Sequence, residues 1–385
     1  MIILKNYRRN FLALLVLAAA LLMTSCLGGC DTYPDTTSYG GKSGKKLSVA
    51  SWNMQALFDG AETGSEYADY SKEAGWNEQK YLARLNADSD AIMQIGERGP
   101  DFLALIEVEN QSVLETLGTE YLAKCGYNYS FFTNTQGYSL GVGVLSRYPF
   151  TKKLSHSSNI NGERIPRPIA EVWIEPDGKP IVIFICHWKS KLGGESTTEI
   201  MRRNAAKIIL RRINQINAEN QGTAIIVLGD LNENYDEFYR NSCEYICAIM
   251  PDDPQAAILT GFALPAQEEE DDAAVLPKPI QDFFILSSEK PPVSAFFDGA
   301  SGVFYSPWSL EMQNGSYYYG SNWETIDHFL LSPTLFDESG WEFDSALVVD
   351  TEPFVNSKNE PAIYNPRTGS GLSDHLPILL NLIAK

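Results

Sequence analysis

The chain has 385 residues, 49 Asp and Glu against 30 Lys and Arg, and a formal net charge of −19. A broadly acidic protein does not hold polyanions tightly by itself, which argues against a DNA-binding regulator and leaves open an enzyme that must release its product. The length exceeds one average domain but suits a single large layered α/β domain, and no internal repeat divides it.

In chain order, the first feature is Lys5, Arg8 and Arg9 ahead of an apolar run from Phe11 to Met23. This is the pattern of a signal peptide over residues 1–25. The apolar core is about 13 residues, short of the roughly 20 that a membrane-spanning helix needs. Met-Thr-Ser-Cys follows and resembles a bacterial lipobox, with Cys26 as the lipidated first residue of the mature chain; Leu-Gly-Gly-Cys offers Cys30 as the alternative. Either cysteine predicts an exported cell-envelope lipoprotein, held at the outer membrane or cell surface through its lipid anchor. Residues 26–46, rich in Gly, Ser, Thr and Lys from residue 31 on, read as a flexible tether, and residues 47–385 as the folded domain. The remaining cysteines, Cys125, Cys186, Cys243 and Cys247, show no CxxC spacing. Cys243 and Cys247 could pair in an oxidising compartment or could be ordinary helix residues.

Within the domain, short apolar runs of strand character recur at Leu47–Trp52, Phe102–Ile106, Val142–Leu145, Ile169–Ile174, Ile181–Cys186, Ala224–Leu228, Phe329–Leu331 and Ile378–Leu380. Near-continuous apolar strands imply sheets covered on both faces. Glu-Pro-Asp-Gly-Lys-Pro joins two of the runs and predicts a hairpin of Ile169–Ile174 with Ile181–Cys186. Helices are expected over Asn77–Gln94, Ser112–Leu122 and Thr197–Ile216, the last with Ile200, Ala205, Ile208, Ile209 and Ile213 on one face. Glu268–Asp272, flanked by Pro265 and Pro277, reads as a solvated loop.

What stands where each strand stops is the informative pattern, because loops at strand ends are where rigid scaffolds place chemistry. Asn53 ends the first run and Glu107 the second; His187 ends Phe-Ile-Cys-His; Asp230 and Asn232 follow Ile-Ile-Val-Leu-Gly. Asp327 and His328 precede Phe-Leu-Leu, and Asp374 and His375 stand in Leu-Ser-Asp-His-Leu-Pro, so three of the chain's four histidines belong to this set. A lone Gly-Asp-x-Asn is commonly only a turn. Six polar strand ends in one chain are hard to obtain from packing alone.

The ordered set Trp-Asn (Trp52, Asn53), Ile-Glu-Val (Glu107), Cys-His-Trp-Lys-Ser-Lys (His187), Gly-Asp-Leu-Asn (Asp230, Asn232), Ile-Asp-His (Asp327) and Ser-Asp-His-Leu-Pro (Asp374, His375) resembles the endonuclease/exonuclease/phosphatase superfamily, of which pancreatic deoxyribonuclease is a member. The resemblance spans residues 47–384 and implies a four-layered α/β/β/α sandwich with two mixed β-sheets and a site at one end of them.

The residue types themselves specify the chemistry. Hydrolysing a phosphodiester needs an activated water, neutralised phosphate charge and help for the leaving oxygen. Glu107 is the first choice as ligand to Mg²⁺, with Mn²⁺ or Ca²⁺ as alternatives; Asn53 and Asp374 join it, and Asp230 and Asn232 are further oxygen ligands or orient the water. His187 and His375 can act as acid and base or donate to phosphate oxygens. The family pattern places Asp327 as the partner that orients His375. Lys189, Lys191 and Arg167 are the expected phosphate contacts, with Arg164 as close in sequence as Arg167. Glu109 stands where pancreatic deoxyribonuclease has an arginine that contacts DNA, so that contact is lost or replaced. His328 reads as a packing residue, and His156 receives no role.

Three local features resemble the secreted bacterial nuclease branch of the superfamily: His-Trp-Lys-Ser-Lys followed by Gly-Gly and Arg202-Arg203, Glu-Val-Glu-Asn at 107–110, and Gly-Ser-Tyr-Tyr-Tyr-Gly-Ser-Asn-Trp-Glu-Thr-Ile-Asp-His at 315–328. Tyr317–Tyr319 and Trp323 could stack on bases or form a core hairpin. Nucleic acid is therefore the expected substrate partner, and no stable protein partner is implied. A phosphatase or phospholipase of the same fold is the first rival, a non-catalytic surface-binding lipoprotein the second.

Overall fold

The computed structural model describes residues 44–157, 165–220, 222–261, 281–287, 289–291 and 302–385. The leader with Cys26 and Cys30, the tether up to residue 43, Arg164 and the stretch from Glu268 to Asp272 lie outside the described residues. No helix among the described residues is long and apolar enough to cross a membrane.

The strands, in chain order, are β1 (Lys46–Leu57), β2 (Phe102–Val108), β3 (Tyr129–Thr133), β4 (Gly141–Ser146), β5 (Phe150–His156), β6 (Ile169–Ile174), β7 (Ile181–His187) and β8 (Ala224–Asp230). There follow β9 (Ile249–Pro251), β10 (Phe284–Ser287), β11 (Val303–Tyr305), β12 (Tyr317–Tyr319), β13 (Asn322–Glu324), β14 (Asp327–Leu331), β15 (Trp341–Val348) and β16 (Ile378–Ala384). One sheet runs β15-β16-β1-β2-β4-β3 and the other β5-β6-β7-β8-β14-β11-β10-β9, while β12 and β13 form a separate hairpin. Both large sheets are mixed: β1 and β2 are parallel in the first, β7 and β8 in the second, amid antiparallel neighbours. The expected hairpin of β6 with β7 forms over the predicted residues.

Alternation along β7 displays the layers. Ile181, Ile183 and Ile185 belong to the large core cluster that also takes in β1, β2 and β16 of the other sheet. Val182, Phe184 and Cys186 point the opposite way, into a second cluster with Ala205, Ala206, Ile208, Ile209, Leu210, Ile213 and Ile216. Those residues line α3 (Glu195–Glu219), which thus covers the outer face of the second sheet. The outer layer of the first sheet comes from α1 (Glu78–Ile92) and α2 (Gln111–Thr116), each started by an asparagine whose side chain accepts a backbone N–H. Leu114 of α2 packs over Gly143 of β4, where a side chain would collide with it. The result is the four-layered α/β/β/α sandwich with two mixed sheets.

Sequence patterning misses the sheet edges. β15 and β3 bound the first sheet, β5 and β9 the second, and none of the four stands among the expected runs. Edge strands keep one side in solvent, as in the half-exposed β5 (Phe-Thr-Lys-Lys-Leu-Ser-His), so they lack the continuous apolar run that identifies a central strand. Cys125, Cys186, Cys243 and Cys247 are all free thiols, so Cys243 and Cys247 do not pair.

Candidate active site

Three strands of the second sheet carry three side chains into one row. His187 is the register partner of Asp230 across β7 and β8, and Asp230 that of Asp327 across β8 and β14. Each continues its strand's inward series, Ile181-Ile183-Ile185 for His187, Ile226-Leu228 for Asp230 and Phe329-Leu331 for Asp327, so all three emerge between the sheets. His328 has the opposite parity. It is fully buried on the helix side with Nε2 2.8 Å from the Glu233 carbonyl, and burial lowers its pKa to about 4, as suits a packing residue. Gly229 makes the row possible: its φ is +123°, and a Cβ there would strike the carbonyl oxygen of Cys186 on β7.

The first sheet contributes Asn53 and Glu107 through paired irregularities. Register shifts fall between Asn53 and Leu57 of β1 and between Ile106 and Val108 of β2, and Gln55, Ala56 and Glu107 take φ of 48°, 59° and 65°. Left-handed backbone at three non-glycine residues is costly and re-aims the side chains. Ala56 N–H donates to Glu107 Oε2 at 2.9 Å and Gln55 N–H to Asn53 Oδ1 at 3.0 Å. Asn53 Nδ2 then reaches across to Asp230 Oδ2 at 3.1 Å, joining the two sheets. Asp230 Oδ1 accepts the backbone N–H of Asn232 at 2.9 Å, and Asn232 Nδ2 donates to the Trp188 carbonyl at 3.2 Å.

His375 closes the other side. Its Nδ1 lies 2.7 Å from Asp327 Oδ2, which also accepts from Ser316 Oγ at 2.6 Å, so Nε2 is the ring's remaining polar atom. Trp52 Nε1 donates to the His375 carbonyl, and the Ser373 hydroxyl donates to the Asn53 carbonyl, tying this loop to the end of β1. The Tyr317 ring tilts over the His375 imidazole at 4.6 Å, and Tyr319 stacks parallel to Tyr317 at 6.2 Å. Tyr319 is 70 % exposed, and Tyr318 and Trp323 are half-buried, so β12 and β13 make a surface hairpin beside the centre.

Burial and neighbours set the two histidines apart. Desolvation alone would hold His375 neutral, but the carboxylates of Asp327, Asp374 and Asp230 overcome it and raise its pKa to about 10. Burial, reinforced by the positive charges of Arg167 and His375, pushes His187 well below the usual histidine range. Desolvation together with Asp374 raises Glu107, against the pull of His375 and Arg167; burial likewise raises Asp230. Opposite protonation of two imidazoles near one set of carboxylates is a known basis for separate acid and base roles.

The donor set also bears on a divalent cation. Glu107 Oε2 is occupied by Ala56, while Oε1 faces His187 Nε2 at 3.6 Å, beyond hydrogen-bond range; Asp230 Oδ2 is also 3.6 Å from that nitrogen. Buried His187 Nδ1 has no partner among the described residues. No three His, Cys, Asp or Glu side chains gather into a ligand cluster among the described residues. Mg²⁺ requires only one or two carboxylates and keeps its waters, so Glu107 with half-buried Asp374 fits a cation of that kind. Asn53, bonded at both ends of its amide, is first of all the link between the bulge and Asp230.

The expected phosphate contacts divide. Arg167 belongs to the centre: Nη1 donates to the Trp188 carbonyl at 2.8 Å, and its charge acts on both Glu107 and His187. Lys191 instead pairs with the buried Glu237 at 2.5 Å, and Lys189 donates to the Ser190 and Leu192 carbonyls of its own loop. Both lysines are thus engaged in holding the segment after His187. Glu109 is buried and accepts the Asp59 N–H at 2.7 Å, an internal support rather than a surface contact. His156 lies 2.7 Å from Glu171 in a network with Arg212 and Trp173 on the far side of β6. Ser316 and Ser373 stand inside motifs quoted above, Gly-Ser-Tyr-Tyr-Tyr and Ser-Asp-His-Leu-Pro, that drew attention to their neighbours, whereas Tyr67, near enough to feel the charges of Glu107 and Arg167, lies in no such motif.

A family model described as "Endonuclease/Exonuclease/phosphatase family" matches residues 48–257, more than half the chain. The matched span holds Asn53, Glu107, His187, Asp230 and Asn232, whereas Asp327, Asp374 and His375 join them through the fold. No curated protein matches significantly. Among solved structures, an endonuclease/exonuclease/phosphatase family protein from Bacteroides thetaiotaomicron is 15% identical over 89% of this chain and 99% of that one, with a TM-score of 0.47. Truncated TDP2 from Caenorhabditis elegans is 14% identical over 88% and 98%, with a TM-score of 0.47. A mannosyl-6-phosphatase from Bacteroides thetaiotaomicron is 14% identical over 88% and 99%, also at 0.47.

Proposed function

Because the chain belongs to the endonuclease/exonuclease/phosphatase family, we propose that this hydrolase is a metal-dependent phosphodiesterase, an endonuclease that cuts DNA backbone phosphodiesters and takes RNA as a second substrate. One observation carries the reading: His375, its Nδ1 2.7 Å from Asp327 Oδ2, and His187 stand with Asp230, Asn53 and Glu107 at the mouth between the sheets. His375 Nε2 donates to a non-bridging phosphate oxygen, with Asp327 keeping the proton on the ring. Asp230, oriented by Asn53 and by the Asn232 amide, positions the attacking water, and its burial makes it a better proton acceptor than an exposed carboxylate. Arg167 faces the phosphate charge. A Mg²⁺, Mn²⁺ or Ca²⁺ ion at Glu107 and Asp374 would supply charge neutralisation on the phosphate oxygens.

The choice of nucleic acid rests on the ladder His375-Tyr317-Tyr319, whose outer ring is open to stack on a base. A phosphatase acting on a small phosphate ester is the second reading. The engagement of Lys189 and Lys191 favours it, because two cations that would meet flanking phosphates are occupied internally. We further propose export and attachment to the cell envelope through lipidated Cys26, on the strength of the leader and the cysteine that follows it.

Mature protein should be assayed with plasmid DNA, RNA, sphingomyelin and inositol polyphosphate, with Mg²⁺ and with EDTA. Metal-dependent nicking of plasmid, abolished in Glu107→Gln, is the expected result. Turnover of the lipid or the inositol phosphate with nucleic acid left intact would overturn the nuclease reading. Undiminished turnover in Glu107→Gln would remove Glu107 from the centre.

A further inference from the structure

The bulge that aims Asn53 and Glu107 is itself held by one buried cation. Arg84, in the middle of α1, is 2 % exposed and spends its guanidinium on backbone carbonyls. Nη1 donates to the Ala56 carbonyl at 2.9 Å and to the Tyr70 hydroxyl at 3.1 Å; Nη2 donates to the carbonyls of Met54 and of Gln55, the latter at 3.1 Å. The Tyr70 hydroxyl donates in turn to the Gln55 carbonyl at 3.2 Å, and the Tyr364 ring lies 3.9 Å from the guanidinium carbon. With Ser373 on the Asn53 carbonyl, four consecutive carbonyls of residues 53–56 are held by side chains that are distant in sequence.

Held this way, the peptide groups have one arrangement left. The carbonyls of Met54, Gln55 and Ala56 face Arg84 of α1, and the opposite edges present the Gln55 N–H to Asn53 Oδ1 and the Ala56 N–H to Glu107 Oε2. Burying an arginine is expensive, and an apolar side chain would fill the space at less cost. Arginine is suited because its planar fork serves several acceptors at fixed angles, which a lysine cannot copy. Asp88 makes a buried ion pair with Nε at 3.6 Å but no hydrogen bond to it among the described residues, so the angle of the guanidinium is set by the carbonyls and not by the carboxylate.

We propose that Arg84 is a positioning residue of the centre: it turns the carbonyls of Met54, Gln55 and Ala56 inward so that the backbone amides of residues 55 and 56 orient Asn53 and Glu107. This rests on the reading of Glu107 and Asn53 as members of the centre. It assigns Arg84 no contact with substrate.

Arg84→Lys keeps the charge and most of the volume but offers one nitrogen in place of the two that together reach the Met54, Gln55 and Ala56 carbonyls and the Tyr70 hydroxyl, so it cannot hold all four at the same angles. The variant should fold, as judged by circular dichroism. Backbone amides of residues 55 and 56 should exchange with deuterium about 10-fold faster, and Mn²⁺ binding followed by electron paramagnetic resonance should weaken roughly 10–100-fold, with kcat on bis-p-nitrophenyl phosphate falling over the same range and KM unchanged. A folded Arg84→Lys with wild-type Mn²⁺ binding and wild-type exchange would overturn the proposal. If Arg84→Lys does not fold, Tyr70→Phe removes only one hydroxyl of the same clamp; several-fold faster exchange at those amides with weaker Mn²⁺ binding supports the proposal, and wild-type values overturn it. A wild type that hydrolyses no phosphodiester defeats the proposed function alone, since amide exchange and Mn²⁺ binding still decide the role of Arg84.

Discussion

Asp327→Asn isolates charge from shape. The carboxylate accepts from Ser316 Oγ and from His375 Nδ1 through one oxygen, Oδ2, while buried Oδ1 has no partner among the described residues. An asparagine can keep its carbonyl oxygen where both donors meet and place its amide at the unpartnered position, so the hydrogen bonds survive and the negative charge does not. His375 then loses the adjacent negative charge that does most to raise its pKa to about 10, and burial pulls it back towards the neutral form. A hydrogen bond to an ionised group is worth ~1.5–3 kcal/mol, and losing that increment in the transition state corresponds to a fall of roughly 10–100-fold in rate. His375→Ala should cost more, on the order of 10²-fold or beyond, because the donor itself is gone. The sign of the pH dependence is also fixed: a raised pKa keeps the cationic form through neutral pH and loses it only as pH rises towards 10, so the variant should lose rate at lower pH than wild type on the alkaline side. Hydrolysis of bis-p-nitrophenyl phosphate between pH 5 and 10, with the imidazole protons followed by nuclear magnetic resonance, reads both effects. Wild-type rates across that range would take Asp327 out of the centre. A loss exceeding that of His375→Ala would mean that the carboxylate also acts for itself and not only through the imidazole.

Gly229→Ala should destabilise the fold by ~3 kcal/mol or more, since both the positive φ and the Cys186 carbonyl oppose a Cβ, and an unchanged midpoint of thermal unfolding would refute the steric argument. Glu171 is buried, yet hydrogen bonds from His156, Arg212 and Trp173 outweigh desolvation and lower its carboxyl from 4.5 to about 2. Its contribution, on the order of 3 kcal/mol, is complete above pH 4.5 and lost as pH falls towards 2, so Glu171→Gln should flatten the acid limb of a urea-stability profile; a parallel profile would refute this. Lys191→Ala should lower stability by ~1–3 kcal/mol, because the buried Glu237 loses its partner, and leave KM for DNA within about twofold; a large rise in KM at unchanged stability would return Lys191 to phosphate contact.

Most of the centre was legible because the polar residues interrupt strong strand patterns. Asp230 is visible as the polar end of Ala-Ile-Ile-Val-Leu-Gly, and His187 as the end of Ile-Val-Ile-Phe-Ile-Cys. The packing role expected of His328 agrees with its place one position from Asp327 and therefore on the other face of β14. What stayed hidden depends on contacts between residues far apart in the chain. Nothing around Lys191 reveals Glu237, 46 positions away, and nothing in Gly-Ser-Tyr marks Ser316 as a donor to Asp327. Arg84 looks like any helix arginine until β1 is laid against it. The left-handed backbone at Gln55, Ala56 and Glu107 has no local signal at all, since none of these residues favours it.

The same packing that builds the core also sets the chemistry at its mouth. His187, Asp230 and Asp327 continue series of Ile, Leu and Phe side chains that fill the space between the sheets, so their apolar neighbours are fixed by the requirements of folding. Those neighbours remove water, and removing water pushes His187 down and Asp230 up. Only His375 runs against this, and it does so because a loop brings it to Asp327 from outside the second sheet. An imidazole on a strand end, walled by the core, is held neutral; an imidazole delivered by a loop to a buried carboxylate is held charged. The opposite shifts of the two imidazoles are therefore a consequence of topology.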